Sequence, residues 1–216
     1  MDRRDFVAGS MAAAAASLQW LRSTATLAAP GASSPAASSL TANVSAGQVV
    51  FDAIARAMLP LEDPRLAAIS PALVQRRAQT LFGLDRDPMI QSGLALFDEL
   101  HLFQSPPPEL LTAEAAYFPL DEGEHRAPNF VAARQAKDLK AFALFYQKMT
   151  PKAALFHELH LGDARTYCML WARSALGMRR RFYQSTKSVV MAATYSMDEV
   201  WTVIGYAGPL LHFRSP

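Results

Sequence analysis

The spacing of apolar residues constrains the fold of this 216-residue chain more than any other feature. Apolar side chains recur every three to four residues along most of its length, which is the period of an α-helix. The alternation of apolar and polar residues that is typical of a half-buried strand is nearly absent, and the β-branched run at 189–191 lies inside a helical pattern. We therefore predict an all-α fold, a single irregular helical domain of six to eight helices.

Helix start and stop signals give boundaries for several of these helices. Ser70 is a favourable N-cap residue for an amphipathic run that Gly83 ends. Helical spacing continues through 85–104 and predicts one unbroken helix there. Near the C-terminal end, Ser196 is followed three residues later by Glu199, a capping-box pattern that predicts the start of a last helix.

The first 29 residues have the three parts of an export signal. A charged start that includes Arg3 and Arg4 is followed by a mildly apolar, alanine-rich stretch and then by small residues. The paired arginines with Phe6 behind them resemble the twin-arginine signal of bacteria, and the weakly apolar stretch favours that route. The resemblance implies cargo that is folded before export and carries a cofactor or a partner. The alternative is an ordinary amphipathic helix in which two arginines are adjacent by chance.

The predicted organisation has three parts. A twin-arginine signal peptide occupies 1–29, with cleavage expected between Ala28 and Ala37. Residues 30–44 are rich in Pro, Ser and Ala and are predicted to form a flexible leader. The helical domain then covers 45–216.

Charge and cysteine content exclude several classes of protein. Without its first 29 residues the chain keeps 18 basic and 17 acidic residues, so nothing drives it electrostatically toward nucleic acid or an anionic membrane. The single cysteine, Cys168, excludes an intrachain disulfide and a site built from several cysteines. Because Cys168 lies in an apolar helical stretch, we expect a buried, unreactive thiol.

The tightest cluster of candidate metal ligands is His157, Glu158 and His160. It departs from the zinc motif H-E-x-x-H because the second histidine comes one residue too early. Two histidines three residues apart on a helix could still reach one ion. The structural alternative is a helix end near Gly162, where histidine interacts favourably with the C-terminal dipole.

Sequence motifs for binding a nucleotide are absent. The chain has no glycine-rich dinucleotide fingerprint and no P-loop, so we expect no flavin or nicotinamide bound by this chain alone. It also lacks the nucleophile elbow of serine hydrolases. The run Arg179-Arg180-Arg181 could hold a phosphate or a heme propionate. We interpret it instead as a solvated helix face or an interface patch.

The C-terminal segment from Arg179 to Leu211 resembles the small subunit of bacterial FAD-dependent sugar and alcohol dehydrogenases, the group that includes the gluconate 2-dehydrogenase and sorbitol dehydrogenase small subunits. The family usually has proline where this chain has Ala207. The residues that carry the resemblance are also our candidates for a partner interface, and they are Phe182, Tyr183, Tyr195, Trp201, Gly205, Tyr206, Gly208 and Pro209.

This resemblance implies a function without catalysis. The small subunit would bind and stabilise a large catalytic subunit of the glucose-methanol-choline type, which holds the FAD, and would escort it into the periplasm. A multiheme cytochrome c would complete some complexes, on the outer face of the inner membrane, and membrane association would come only through the complex. No catalytic or cofactor-binding residue is implied for this chain. The alternative is a stand-alone periplasmic metal-binding protein or small enzyme that uses His157, Glu158 and His160.

Overall fold

A computed structural model describes residues 37–84, 88–117, 129–149 and 151–203. The arginine pair of the predicted signal, Arg3 and Arg4, and Phe6 lie outside these ranges, as does the segment from Gly205 to Pro209. The helices, in chain order, are α1 (Ala37–Met58), α2 (Pro71–Phe82), α3 (Pro88–Asp98), α4 (Leu100–Gln104), α5 (Pro108–Tyr117), α6 (Phe130–Lys148), α7 (Leu161–Ala172), α8 (Gly177–Tyr195) and α9 (Asp198–Val203). Two 3₁₀ turns, Pro64–Leu66 and Phe156–Glu158, lie between them.

The all-α prediction is confirmed. Within the described ranges there are nine α-helices, and the extended pairing is limited to one isolated bridge between Glu99 and Leu155. Helix α8 lies near the centre and packs against α2 and α7, while α1 packs against α2, α3 and α7. The β-branched residues Val189 and Val190 are buried on α8, so packing overrides their preference for strands.

The continuous helix predicted for 85–104 is wrong, because the chain breaks between α3 and α4 at Glu99. There the backbone N–H of Leu100 donates to the carbonyl of Ala154, 3.1 Å away, instead of to a carbonyl of its own helix. Glu99 itself is extended, with φ −79° and ψ 99°. This break accounts for the one helix by which the nine in the described ranges exceed the predicted six to eight.

Helix α1 begins within the segment predicted as a flexible leader. It starts at Ala37, so residues 37–44 of that segment are helical. Pro35 is the last helix-breaking residue before this point, and alanine and leucine in the following stretch are good helix formers. The first helix therefore starts eight residues before the predicted domain boundary at residue 45.

The two predicted ends of α2 are confirmed, and the predicted start of the last helix at Ser196 is wrong. The Ser70 hydroxyl accepts from the Leu73 N–H at 3.2 Å, and Gly83 closes α2 in the left-handed region, with φ 61°. Ser196, in contrast, closes α8 instead of opening α9. Its hydroxyl donates to the Ala193 carbonyl at 2.7 Å and accepts from Arg77.

Aromatic rings form the centre of the core. Phe97, which is 1% exposed, contacts rings from three other elements within about 5.6 Å. Its partners are Phe156 at 4.7 Å, Trp171 at 4.8 Å, Tyr167 at 5.3 Å and Phe182 at 5.6 Å. Aromatic pairs at such distances add about 0.5–1.5 kcal/mol each beyond the area that they bury. The cluster therefore joins α3, α7, α8 and the 3₁₀ turn before α7.

Candidate functional site

Two of the predicted interface aromatics belong to the interior of this chain. Phe182 is 8% exposed and packs on Trp171, with ring centroids 5.3 Å apart. Its ring also lies against Gly93, where an added Cβ would come within 2.7 Å of the ring. Trp201 is 8% exposed as well, and its Nε1 donates to the Tyr195 carbonyl at 2.7 Å. Neighbours within the chain therefore bury both side chains, which leaves little of either for contact with a partner.

Tyr183 and Tyr195 remain accessible in part. Both are half-buried on α8, and burial raises the pKa of the Tyr183 hydroxyl. The Tyr195 ring lies 6.0 Å from that of Trp201. The other members of the predicted interface, Gly205, Tyr206, Gly208 and Pro209, lie outside the described residues.

The interpretation of the arginine run as a solvated face or interface patch is wrong for Arg179. Only 1% of this residue is exposed, and its guanidinium donates to Asp138 on α6 at 2.7 Å and to the Phe103 carbonyl at 2.7 Å. The guanidinium also lies 3.9 Å from the centre of the Phe103 ring, a cation–π contact. Burial lowers the pKa of Arg179, and the nearby Asp138 opposes that shift.

A second buried carboxylate holds the first turn of α8. Glu114, on α5, is fully buried and accepts from the N–H groups of Gly177 and Met178 at 2.8 and 2.9 Å. Arg134 on α6 donates to the same carboxylate at 2.7 Å. A carboxylate at a helix N-terminus is favoured both by the unpaired N–H groups and by the helix dipole.

These charged residues form one structural network. Asp138 also accepts from the Ser174 hydroxyl and from the Ala175 N–H, so both of its oxygens are occupied, as are both oxygens of Glu114. Sequence reasoning missed the network because its partners lie far apart in the chain. Since every carboxylate oxygen is bonded within the chain, we assign it to fixing α8 against α5 and α6.

His157 is held by a carboxylate that sequence reasoning also missed. Its Nδ1 lies 2.9 Å from each oxygen of Asp98, and its backbone N–H donates to Asp98 at 3.0 Å. His157 lies in the 3₁₀ turn and His160 is the N-cap residue of α7, so neither is at a helix C-terminus, and the structural alternative based on the dipole is wrong. Among the residues that the structure describes, no group of three or more His, Cys, Asp or Glu side chains could hold a metal ion.

Cys168 is buried, as predicted. It is 4% exposed, and burial raises the pKa of its thiol to about 12. Since the thiolate is the reactive form, this thiol is inert in the folded chain.

A polar groove of about 350 Å³ separates α2 from the junction of α8 and α9. One wall carries Arg76 and Arg77, and the other carries Asp198 and Glu199. Arg77 crosses the groove and donates to Ser196 through its hydroxyl, at 2.8 Å, and its carbonyl. The groove therefore has charges of both signs and is tied together by its own side chains.

Helix α6 has an exposed surface that is largely apolar. Eleven of its nineteen residues are exposed, and they are five alanines, two leucines, three lysines and one glutamine. Leu144 is 61% exposed and Leu139 is 37% exposed. We call this surface the α6 outer face. Phe142, Phe145 and Asp138 point the other way, into the domain.

Comparison with known proteins gave no match: no family model, no curated protein and no solved structure is similar to this chain at a significant level. In the described ranges, no helix combines the length and the apolar character that crossing a bilayer requires.

Proposed function

We propose that this chain is the exported, non-catalytic small subunit of a periplasmic FAD-dependent sugar or alcohol dehydrogenase. It binds the FAD-containing large subunit of the glucose-methanol-choline type, stabilises it and escorts it through the twin-arginine route. The flavin and the redox chemistry belong to the large subunit, and a multiheme cytochrome c accepts the electrons in complexes that have one.

The observation that carries this proposal is the combination of two sequence features in one chain. The opening Arg3-Arg4 with Phe6 resembles an export signal for folded cargo, and the C-terminal pattern from Phe182 to Pro209 resembles the small subunit of such dehydrogenases. The structure adds two supporting features. Its buried charges are used for its own packing, and it exposes an apolar helix face that suits a protein with a docked partner.

A second candidate is a stand-alone periplasmic protein in which His157 acts as a base or as a metal ligand. The observation that favours it is the Asp98 carboxylate on Nδ1, because such a partner fixes the imidazole and leaves Nε2 for chemistry. Glu158 and His160 are exposed beside it.

The experiment is purification of the full-length chain, with a C-terminal affinity tag, from its native host at its native level of expression. We expect a flavoprotein of the dehydrogenase class to co-purify, with FAD measured by its absorbance after denaturation. A chain that is recovered as a stable monomer without flavin would contradict the proposal.

Metal analysis of the same preparation separates the two candidates. Stoichiometric metal that is lost in His157→Ala, with no flavoprotein present, would favour the stand-alone protein. His101→Ala is the matched control, because His101 is exposed and pairs with Glu99 at 3.1 Å on another surface element.

A further inference from the structure

The α6 outer face has three lysines along one side and no acidic residue. Lys137, Lys140, Leu144 and Lys148 follow one another at intervals of three and four residues, so they form one line along the helix. At 1.5 Å per residue this line is about 16 Å long. The only acidic residue of α6, Asp138, is buried and bonded to Arg179.

Within α6, no acidic side chain on this face pairs with the lysines, and no neighbouring side chain covers Leu144. Lys137 and Lys140 are three residues apart, and like charges at that spacing destabilise a helix slightly. Leu144 is 61% exposed between Lys140 and Lys148, each one turn away. A surface helix of a protein without partners normally has its polar residues on the outer side, whereas seven of the eleven exposed residues here are apolar.

We propose that the α6 outer face is the docking surface for the FAD-containing subunit, and that the partner presents a carboxylate-rimmed apolar surface to it. This inference rests on the proposed function. Leu144 occupies the centre of the contact, and Lys137, Lys140 and Lys148 pair with carboxylates of the partner around it.

A protein fits this face better than a membrane does. Helices that lie in a bilayer interface insert large side chains such as Trp, Phe and Leu, whereas five of the seven exposed apolar residues here are alanines. Small side chains instead allow a packed element to approach closely. A standard interface takes roughly 20–30 residues from each partner, so this face supplies the centre of the contact and neighbouring surfaces supply the remainder.

The test compares variants of the tagged full-length chain in the native host. K137E/K140E/K148E reverses the three positive charges, and L144E replaces the exposed leucine by a carboxylate. The matched controls are R76E/R173E/K187E, which reverses three exposed charges elsewhere, and V49E, since Val49 on α1 is 49% exposed. We expect both face variants to lower the FAD recovered per chain by about tenfold or more, and both controls to recover as much as the wild type.

Each other outcome overturns the inference in a distinguishable way. If the wild type recovers the flavoprotein and the face variants do so equally, the docking surface is elsewhere and the proposed function stands. If the wild type recovers no flavoprotein, the proposed function fails and the inference fails with it.

Two further measurements use the chain without residues 1–29. If its thermal midpoint falls in the face variants and not in the controls, other residues of this chain cover the face. If the wild type sediments with phosphatidylglycerol vesicles, the triple face variant does not, and flavoprotein recovery is the same for both, the face binds membrane.

Discussion

At the scale of single residues, Arg179 is a buried cation whose charge is balanced by Asp138, so the stability of the fold should depend on this pair. Arg179→Met leaves that carboxylate buried without its counter-charge, and we expect a loss of about 3–5 kcal/mol in the free energy of unfolding. Lys187→Met on the exposed side of the same helix should change it by less than about 0.5 kcal/mol. Urea unfolding of the signal-free chain, followed by circular dichroism, measures both.

The double variant Arg179→Met with Asp138→Leu completes this test. Because it removes both charges, we expect it to be more stable than Arg179→Met alone. A single variant as stable as the wild type would show that the buried pair does not stabilise the fold.

Gly93 and Gly162 are two helical glycines whose substitution by alanine should have opposite effects. An added Cβ at Gly93 comes within 2.7 Å of the Phe182 ring, whereas nothing lies within 4 Å at Gly162. We expect Gly93→Ala to lower the thermal midpoint, through overpacking of about 1–3 kcal/mol, and Gly162→Ala to keep or raise it. Equal midpoints for the two variants would contradict the close packing of Phe182.

Cys168 provides a chemical measure of burial. Because burial raises the pKa of its thiol to about 12, little thiolate forms in the folded chain at mildly alkaline pH. Iodoacetamide should therefore modify Cys168 slowly in buffer and rapidly in urea, as judged by mass spectrometry. The predicted contrast is absent if modification is equally fast in both, and the helix α7 packing described above would then be incorrect.

At the scale of helices, α2 is delimited by its own end residues. Ser70→Ala removes the hydroxyl that accepts from Leu73, and Gly83→Ala places a Cβ at a φ of 61°. We expect each variant to lose about 1 kcal/mol in the free energy of unfolding. The losses should add, because the two sites are at opposite ends of the helix. Strong non-additivity in urea unfolding would contradict this local account.

The same helices show which features a sequence can predict. Each end of α2 depends on contacts between residues a few positions apart in the chain, so the sequence predicts both Ser70 and Gly83 as end residues. The break at Glu99 depends on the Ala154 carbonyl, 54 residues away from the N–H of Leu100 that it binds, and no local signal marks it. Ser196 has the pattern of an N-cap, but its hydroxyl is used by Ala193 and Arg77 instead.

The candidate site residues were hard to predict for the same reason, because their contacts are distant in the sequence. Arg179 stands in a run of three arginines that reads as solvated, and its partner Asp138 is 41 positions away. Phe182 and Trp201 are candidates for an interface because they carry the family resemblance, yet the interior of this chain uses both rings. The outer side of α6 is visible only after folding places Phe142 and Phe145 inward.

At the scale of the whole molecule, the described helices enclose an aromatic core, and α6 keeps a largely apolar face on the surface. In the proposed role as an escort, that face binds the partner and the N-terminal arginine pair directs export of the complex. On this account, the apolar helix face and the arginine pair determine where a second protein is located in the cell, and neither takes part in a reaction.

The most direct measurement is the location of the flavoprotein recovered with this chain. In the native host, cells that produce the wild type should contain that flavoprotein, with its FAD, in the periplasmic fraction. Cells that produce Arg3→Lys/Arg4→Lys instead should retain it in the cytoplasm, while Arg22→Lys, a matched control, should export it normally. Equal periplasmic amounts of the flavoprotein in all three strains would contradict the account.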